Sequence, residues 1–442
     1  MRFALGSHLL YLSGGKGRGM RQIRTGLAGV IWIAAGLAVS ACASRPPGIM
    51  VPVAESAPGA SRVEMVVATT RAKVDTGDLY GGDRATDPSF AEITVSIPPA
   101  SARAIGEVQW PKSVPGNPAT DFVTLKADII DQAEAKRWLD KRIERTPHRQ
   151  ALVFIHGYNN RFEDAVFRFA QIVHDAGADV VPVLFTWPSR GSLLAYGYDR
   201  ESASYSRDAL EKLLTILAKD PDVGEISILA HSMGNWVTLE ALRQMAIRNG
   251  RVLPKIKTVM LAAPDVDVDI FRTQLADMGK TRPRFAIFVS QDDRALQVSQ
   301  RVWGSRARLG QIDPEAEPFR TQFEREKITV LDLTKLRTAD QLNHGKFAES
   351  PEVVQMIGAR LAQGQTMSDG REGVGDRIIQ VTTGAAATIG NAAGVIISAP
   401  VAVVDPSTRE NFGAQVQELG STVTNTATST GRLLTTPAPV PQ

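Results

Sequence analysis

The chain predicts an α/β fold, a mostly parallel sheet with helices on both faces. Short apolar runs at 151–155, 180–185, 225–230, 256–262, 284–290 and 327–333 alternate with segments at 161–176, 202–218, 233–248 and 351–362 whose apolar residues recur at helical spacing. The runs are continuous in Val, Ile and Leu, as strands buried on both faces must be, and the helices between them supply the crossovers that parallel neighbours require. With 442 residues, 43% of them hydrophobic, the chain is long enough for a large core, and a single Cys excludes a disulfide scaffold.

Taken in order, residues 1–41 read as an export signal. Arg18, Arg21 and Arg24 precede an uncharged apolar run at 26–39, too short for an ordinary membrane span. The run ends in Val39-Ser40-Ala41-Cys42, which resembles a bacterial lipoprotein lipobox with Cys42 as the lipidated residue. Met20 fits the signal better than Met1 as the start. The expected location is a bacterial cell envelope, anchored to the membrane through Cys42. Ala43 stands where inner-membrane retention commonly uses Asp, so the outer membrane, facing the periplasm, is expected. Residues 1–41 hold five basic residues and no acid. The remainder is slightly acidic and gives no reason to expect a nucleic-acid partner.

Residues 42–60, rich in Pro, Ala and Ser, read as a linker. Residues 61–148 read as a β-rich N-terminal extension with strands at 62–69 and 91–97, and 149–365 as the main α/β domain. Beyond it, 366–442 is low in bulk and reads as a disordered or surface-associated tail. Its uncharged stretch at 378–404 contains the small-residue pattern Gly390-Asn391-Ala392-Ala393-Gly394, but Thr, Asn and Pro dilute its hydrophobicity.

The chemistry concentrates in Ile226-Ser227-Ile228-Leu229-Ala230-His231-Ser232-Met233-Gly234-Asn235. A buried strand runs into a turn with small residues two before and two after a Ser, and a helical pattern follows at once. That is the pattern of a nucleophile elbow, in which a strained Ser lifts its hydroxyl clear of the sheet. Upstream, Val153-Phe154-Ile155-His156-Gly157-Tyr158-Asn159-Asn160 is a second strand opening into a Gly turn ahead of a helix.

These motifs, with Phe185-Thr186-Trp187-Pro188-Ser189, Tyr198-Asp199-Arg200-Glu201-Ser202, Leu261-Ala262-Ala263-Pro264-Asp265 and Ser290-Gln291-Asp292-Asp293-Arg294-Ala295-Leu296, resemble the α/β-hydrolase superfamily. Within it they are similar to bacterial esterase/lipase-like proteins of unknown function, over roughly residues 62–360. The resemblance implies an α/β-hydrolase fold and an oxyanion hole from the backbone N–H groups of Tyr158 and Met233. It implies a Ser, Asp, His triad in that chain order with Ser232 as nucleophile, and neither cofactor nor metal.

Six His residues allow the base to be sought by elimination. His8 lies in the signal, His148 precedes the core, His174 belongs to a helix, His156 sits in the oxyanion loop, and His231 points away around the elbow, leaving His344. For the acid, Asp293 follows the run 284–290 in the family pattern, with Asp265 and Asp292 as alternatives. Asp199-Arg200-Glu201 suggests an Arg200 ion pair bracing the aromatic-rich loop from Trp187 to Tyr198, which could wall an acyl pocket. Met278-Gly279-Lys280-Thr281 lacks the first Gly of a phosphate loop, and Asp265-Val266-Asp267-Val268-Asp269 lacks the turn Gly and final Glu of a calcium loop. The expected activity is hydrolysis of a small-molecule or lipid ester through an acyl-enzyme. The rival readings are an inactive hydrolase-fold lipoprotein that binds or scaffolds, and an amidase or peptidase acting on cell-wall material.

Overall fold

The computed structural model describes residues 46–303, 306–362 and 378–381. The signal-like segment, Cys42, the Gly390–Gly394 pattern and most of 366–442 lie outside the described residues.

The strands are β1 (Ser61–Lys73), β2 (Tyr80–Ile97), β3 (Val123–Ile130), β4 (Gln150–Ile155), β5 (Val181–Thr186), β6 (Glu225–His231), β7 (Ile256–Ala262), β8 (Arg284–Val289), β9 (Thr329–Asp332) and β10 (Ile378–Gln380). They form one sheet in the order β10-β9-β8-β7-β6-β4-β5-β1-β2-β3. Pairing is antiparallel only at β1–β2 and β2–β3, so β2 alone runs against the rest. The helices are α1 (Gln132–Ile143), α2 (Phe162–Ala176), α3 (Tyr196–Lys219), α4 (Gly234–Asn249), α5 (Val268–Asp277), α6 (Arg294–Trp303), α7 (Phe319–Glu326), α8 (Lys346–Glu349) and α9 (Pro351–Ala362).

Alternation along each strand divides the core into two layers. Val153 and Ile155 face Trp138, Leu214, Leu239 and Phe271 from α1, α3, α4 and α5. Leu152 and Phe154 face Phe167, Phe169, Phe347 and Ile357 from α2, α8 and α9. Both faces are covered, which is why these strands read as unbroken apolar runs.

The structure adds detail at both ends of the domain. The 61–148 segment is β-rich as expected, and β1 pairs in parallel with β5, Val66 opposite Val183, so the extension completes the main sheet. Within the stretch read as a tail, Ile378–Gln380 adds a parallel strand to β9, with Ile378 opposite Val330.

One feature of the order positions the site. From β4 the chain crosses to β5 on one side, then returns to place β6 on the other. At such a reversal the loops leaving the carboxyl ends of the two strands diverge and leave a crevice, the usual ligand site of an open α/β sheet.

Candidate active site

Ser232 stands at that crevice, directly after β6, with φ of 53°. For a residue with a Cβ this left-handed conformation costs on the order of 1–3 kcal/mol and persists only if its surroundings hold it. They do: the Ser232 N–H donates to the Ala262 carbonyl at 2.9 Å, and its own carbonyl accepts from Asn235 N at 3.1 Å, Asn235 Nδ2 at 2.9 Å and Asp265 N at 3.3 Å. The small flanking residues have a measurable reason. A Cβ on Gly234 would lie 2.4 Å from the His156 carbonyl oxygen, and one on Gly157 would lie 2.8 Å from the Ser232 Cβ. Strand β4, strand β6 and the start of α4 meet too closely for side chains there.

His344 lies on the loop after β9 and Asp293 just after β8. The His344 Nδ1 and Asp293 Oδ2 are 2.7 Å apart. Asp293 is wholly buried, and its other oxygen accepts from Leu296 N at 2.9 Å. A carboxylate only accepts, so Nδ1 carries the proton and Nε2 keeps its lone pair in the neutral ring. Burial alone would lower the His344 pKa, but the charge and hydrogen bond of Asp293 outweigh it and raise it. Asp340 fixes the turn, accepting from the backbone N–H of His344 at 2.6 Å and of Gly345 at 2.9 Å.

The other two carboxylates have other partners. Asp265 is buried and accepts from Ser299 Oγ at 2.7 Å and Tyr196 OH at 2.8 Å, with Arg308 Nε 3.3 Å away. Asp292 points to Lys346, whose buried ammonium donates to both its oxygens at 2.8 and 2.9 Å. Asn343 Nδ2 also reaches Asp292, at 3.0 Å. Asp292 and Lys346 thereby tie the Asp293 loop to the His344 loop, a clamp that nothing in the sequence signals because the partners are 54 residues apart.

His231 is part of the site's surroundings: its ring lies 4.7 Å from the His344 ring and 4.6 Å from that of Phe347, centroid to centroid. Strand alternation is the cause, since His231 shares the face of Leu229, where α8 packs. Its Nε2 donates to the His344 carbonyl at 3.3 Å. Burial, then the neighbouring His344 charge, hold its pKa well below the ordinary value. Adjacent titratable groups pushed in opposite directions mark an acid/base site. Among the described residues no hydrogen bond joins the Ser232 hydroxyl to the His344 ring. Such contacts commonly tighten only with substrate bound.

Across the crevice, the N–H groups of Tyr158 and Met233 donate to no acceptor among the described residues. They sit beside the Gly157–Ser232 contact, the second at the start of α4, where helix N–H groups are free and the dipole favours an anion. His156 belongs to the scaffold. It is buried, stacked on Trp187 at 4.8 Å, and bonded through Nε2 to the Trp187 N–H at 3.1 Å, and burial followed by the charge of Arg71 pushes its pKa far down. Arg71, also missed in the sequence, is buried and donates to the carbonyls of Asn160 at 2.8 Å, Ser189 at 2.9 Å and Gly81 at 3.0 Å. Burial lowers its pKa to about 10. The loop from Trp187 is braced by Asp199, which accepts from Ser189 Oγ at 2.5 Å, Arg190 N at 3.0 Å and Asn159 N at 3.3 Å. Arg200, expected in that role, instead lies over the Trp236 ring at 4.6 Å.

Away from the site, Asp140, Asp220 and Asp222 converge, but Lys136 Nζ lies 2.5 Å from Asp220 and 2.8 Å from Asp140 and supplies the countercharge.

Comparison with known proteins gives a family match and three individual likenesses. An uncharacterized protein, alr1448, of Nostoc sp. (strain PCC 7120) is 21% identical over 327 residues, 56% of this chain and 83% of that one. A solved structure of an esterase from Rhizomucor miehei has a TM-score of 0.30 at 11% identity, covering 69% of this chain and 83% of that chain. A lipase-esterase related protein from Clostridium acetobutylicum has a TM-score of 0.22 at 13% identity, covering 57% and 93%. Structural likeness this low does not bear on activity. The profile of one family, described as alpha/beta hydrolase of unknown function (DUF900), matches residues 131–360, which span β4 to β9 and every loop of the crevice. The chain belongs to this α/β-hydrolase family of unknown function.

Proposed function

We propose that this hydrolase is a serine carboxylic-ester hydrolase. The observation that carries the reading is the buried Asp293 hydrogen-bonded to His344 at 2.7 Å, on the same end of the sheet as the strained Ser232. In the first half-reaction His344 Nε2 takes the Ser232 hydroxyl proton as Oγ attacks the ester carbonyl. The oxyanion forms against the N–H groups of Tyr158 and Met233, each such donor being worth about 3–4 kcal/mol in the transition state. Collapse breaks the bond to the alkoxy group, which leaves with the proton from His344. Water, deprotonated by His344 in its turn, releases the acid and restores Ser232. Asp293 holds the ring tautomer and stabilises the imidazolium. We further propose that the enzyme is held in the cell envelope by lipid on Cys42.

A fluorophosphonate probe tests the reading. The wild-type chain should form an adduct at Ser232, located by mass spectrometry, and hydrolyse short p-nitrophenyl esters, while Ser232→Ala should do neither with its circular dichroism unchanged. A folded wild-type protein that the probe never labels would favour the binding or scaffolding alternative.

A further inference from the structure

Eleven large apolar side chains are exposed among the described residues, and five of them, Leu193, Leu194, Val298, Val302 and Leu342, lie on segments that adjoin the candidate site. Hydrogen bonds link these positions into one rim. The Leu193 carbonyl accepts from the Tyr158 hydroxyl on the oxyanion loop. Tyr196, at the start of α3, bonds Ser299 on α6 at 3.1 Å. The N–H of Arg294, the first residue of α6, donates at 2.9 Å to the carbonyl of Leu342, two residues before His344. Leu194, at the tip, is 98% exposed, so this is no concave pocket for a small molecule.

Helix α6 shows what the rim meets. Its Leu296 and Ser299 are buried, whereas Arg294, Val298, Arg301 and Val302 all face outward. At spacings of four, seven and eight they form one stripe in which basic and apolar residues share the solvent side. Neither arginine has a carboxylate partner among the described residues; Arg294 reaches only the Gln341 carbonyl, at 3.4 Å. Aliphatic side chains interleaved with unneutralised cations match the two layers of a membrane surface, acyl chains beneath anionic headgroups. A contiguous exposed apolar patch otherwise carries a solubility penalty with no return.

We propose that this rim docks on an anionic lipid bilayer and that the ester cleaved at Ser232 is lipid-borne; the second clause rests on the hydrolase chemistry above. The test uses the full chain with Cys42→Ser in every arm, so that acylation contributes nothing. Binding is measured by flotation with phosphatidylcholine vesicles with and without phosphatidylglycerol. Turnover is measured on a vesicle-borne fluorogenic ester and on a soluble p-nitrophenyl ester. Val298→Ser with Val302→Ser should weaken vesicle affinity and vesicle-borne turnover about tenfold, with soluble turnover within about twofold of wild type. Arg301→Gln should weaken binding about fivefold on vesicles containing phosphatidylglycerol and not on phosphatidylcholine alone. Unchanged vesicle binding in the double variant overturns the proposal and leaves the rim to a protein partner. Soluble turnover falling as far as vesicle-borne turnover, in a folded variant, also overturns it and makes the rim part of the acyl pocket. If the wild type hydrolyses neither ester yet binds vesicles through these residues, docking stands and the esterase reading fails.

Discussion

At the residue scale, two imidazoles lie side by side and their environments drive them apart. His231 is held neutral by burial, whereas Asp293 raises the pKa of His344 above its ordinary value of 6.5. Under the proposed mechanism His344 must be neutral to accept the Ser232 proton, so kcat/KM should rise with pH through an acid limb lying above about 6.5. Asp293→Asn should shift that limb to lower pH and reduce kcat by as much as about 10⁴-fold with little change in KM, as stopped assays across a pH series would show. The pair affects stability with the opposite dependence. A raised His pKa contributes fully below the unfolded value near 6.5, and the contribution fades as pH rises through the folded value. Asp292→Asn leaves the buried Lys346 ammonium without its countercharge. Because Asp292 is itself partly exposed, the loss should be about 2 kcal/mol in chemical denaturation, accompanied by a lower kcat as the two loops loosen. Asp265→Asn should lower stability through its Ser299, Tyr196 and Arg308 contacts while leaving the pH limb in place. Ser232 and Asp293 were expected from motifs that directly follow strands and His344 from elimination, and the structure brings Asp293 and His344 to 2.7 Å of each other. Arg71, Asp199 and Lys346 were not legible in the sequence, because a bracing residue is defined by what it reaches in space and carries no local pattern.

Elements divide the same way. Strands at 225–230 and 256–262 match β6 and β7 to within a residue, since a run buried on both faces has only one reading. Only residues 91–97 of β2 were foreseen, although it runs Tyr80–Ile97, because its first half is polar and glycine-bearing and is held as a strand by pairing with β1 alone. Helix α1 is short on apolar residues and is defined by its capping box, Asp131 with Glu134. Helix α3 begins six residues before the predicted 202, because Asp199 is buried as a brace, which removes the polar break its sequence suggests. Packing between elements gives a sharp test at α9, where a Cβ on Gly358 would lie 1.7 Å from the Ala176 carbonyl oxygen at the end of α2. Gly358→Ala should therefore cost about 3 kcal/mol or more and lower Tm by about 6–10 °C in a thermal scan. Probe labelling of Ser232 at low temperature should persist, because that contact lies on the helix layer and not in the crevice.

For the whole molecule, the class of fold and the end of the sheet that carries the chemistry followed from the rhythm of apolar runs and from two motifs, 156–160 and 230–234. Strand order did not, because a parallel strand carries no mark of its neighbour; that β4 lies between β5 and β6 emerges only in three dimensions. The same arrangement governs how the chain acquires its structure. Strand β4 gains one flank when β5 is made, but its other flank stays open until residues 225–231 arrive, and the first strand must also reach β5 from more than 100 residues upstream. Closing such long loops precedes the contacts that reward it, which makes self-assembly of this sheet slow. Until β6 docks, the main chain of Ala151-Leu152-Val153-Phe154-Ile155 is a bare, strongly apolar template for pairing with another copy. Refolding yield from denaturant should therefore fall steeply as protein concentration rises, because that segment stays open to other copies until the strand leading into Ser232 is complete.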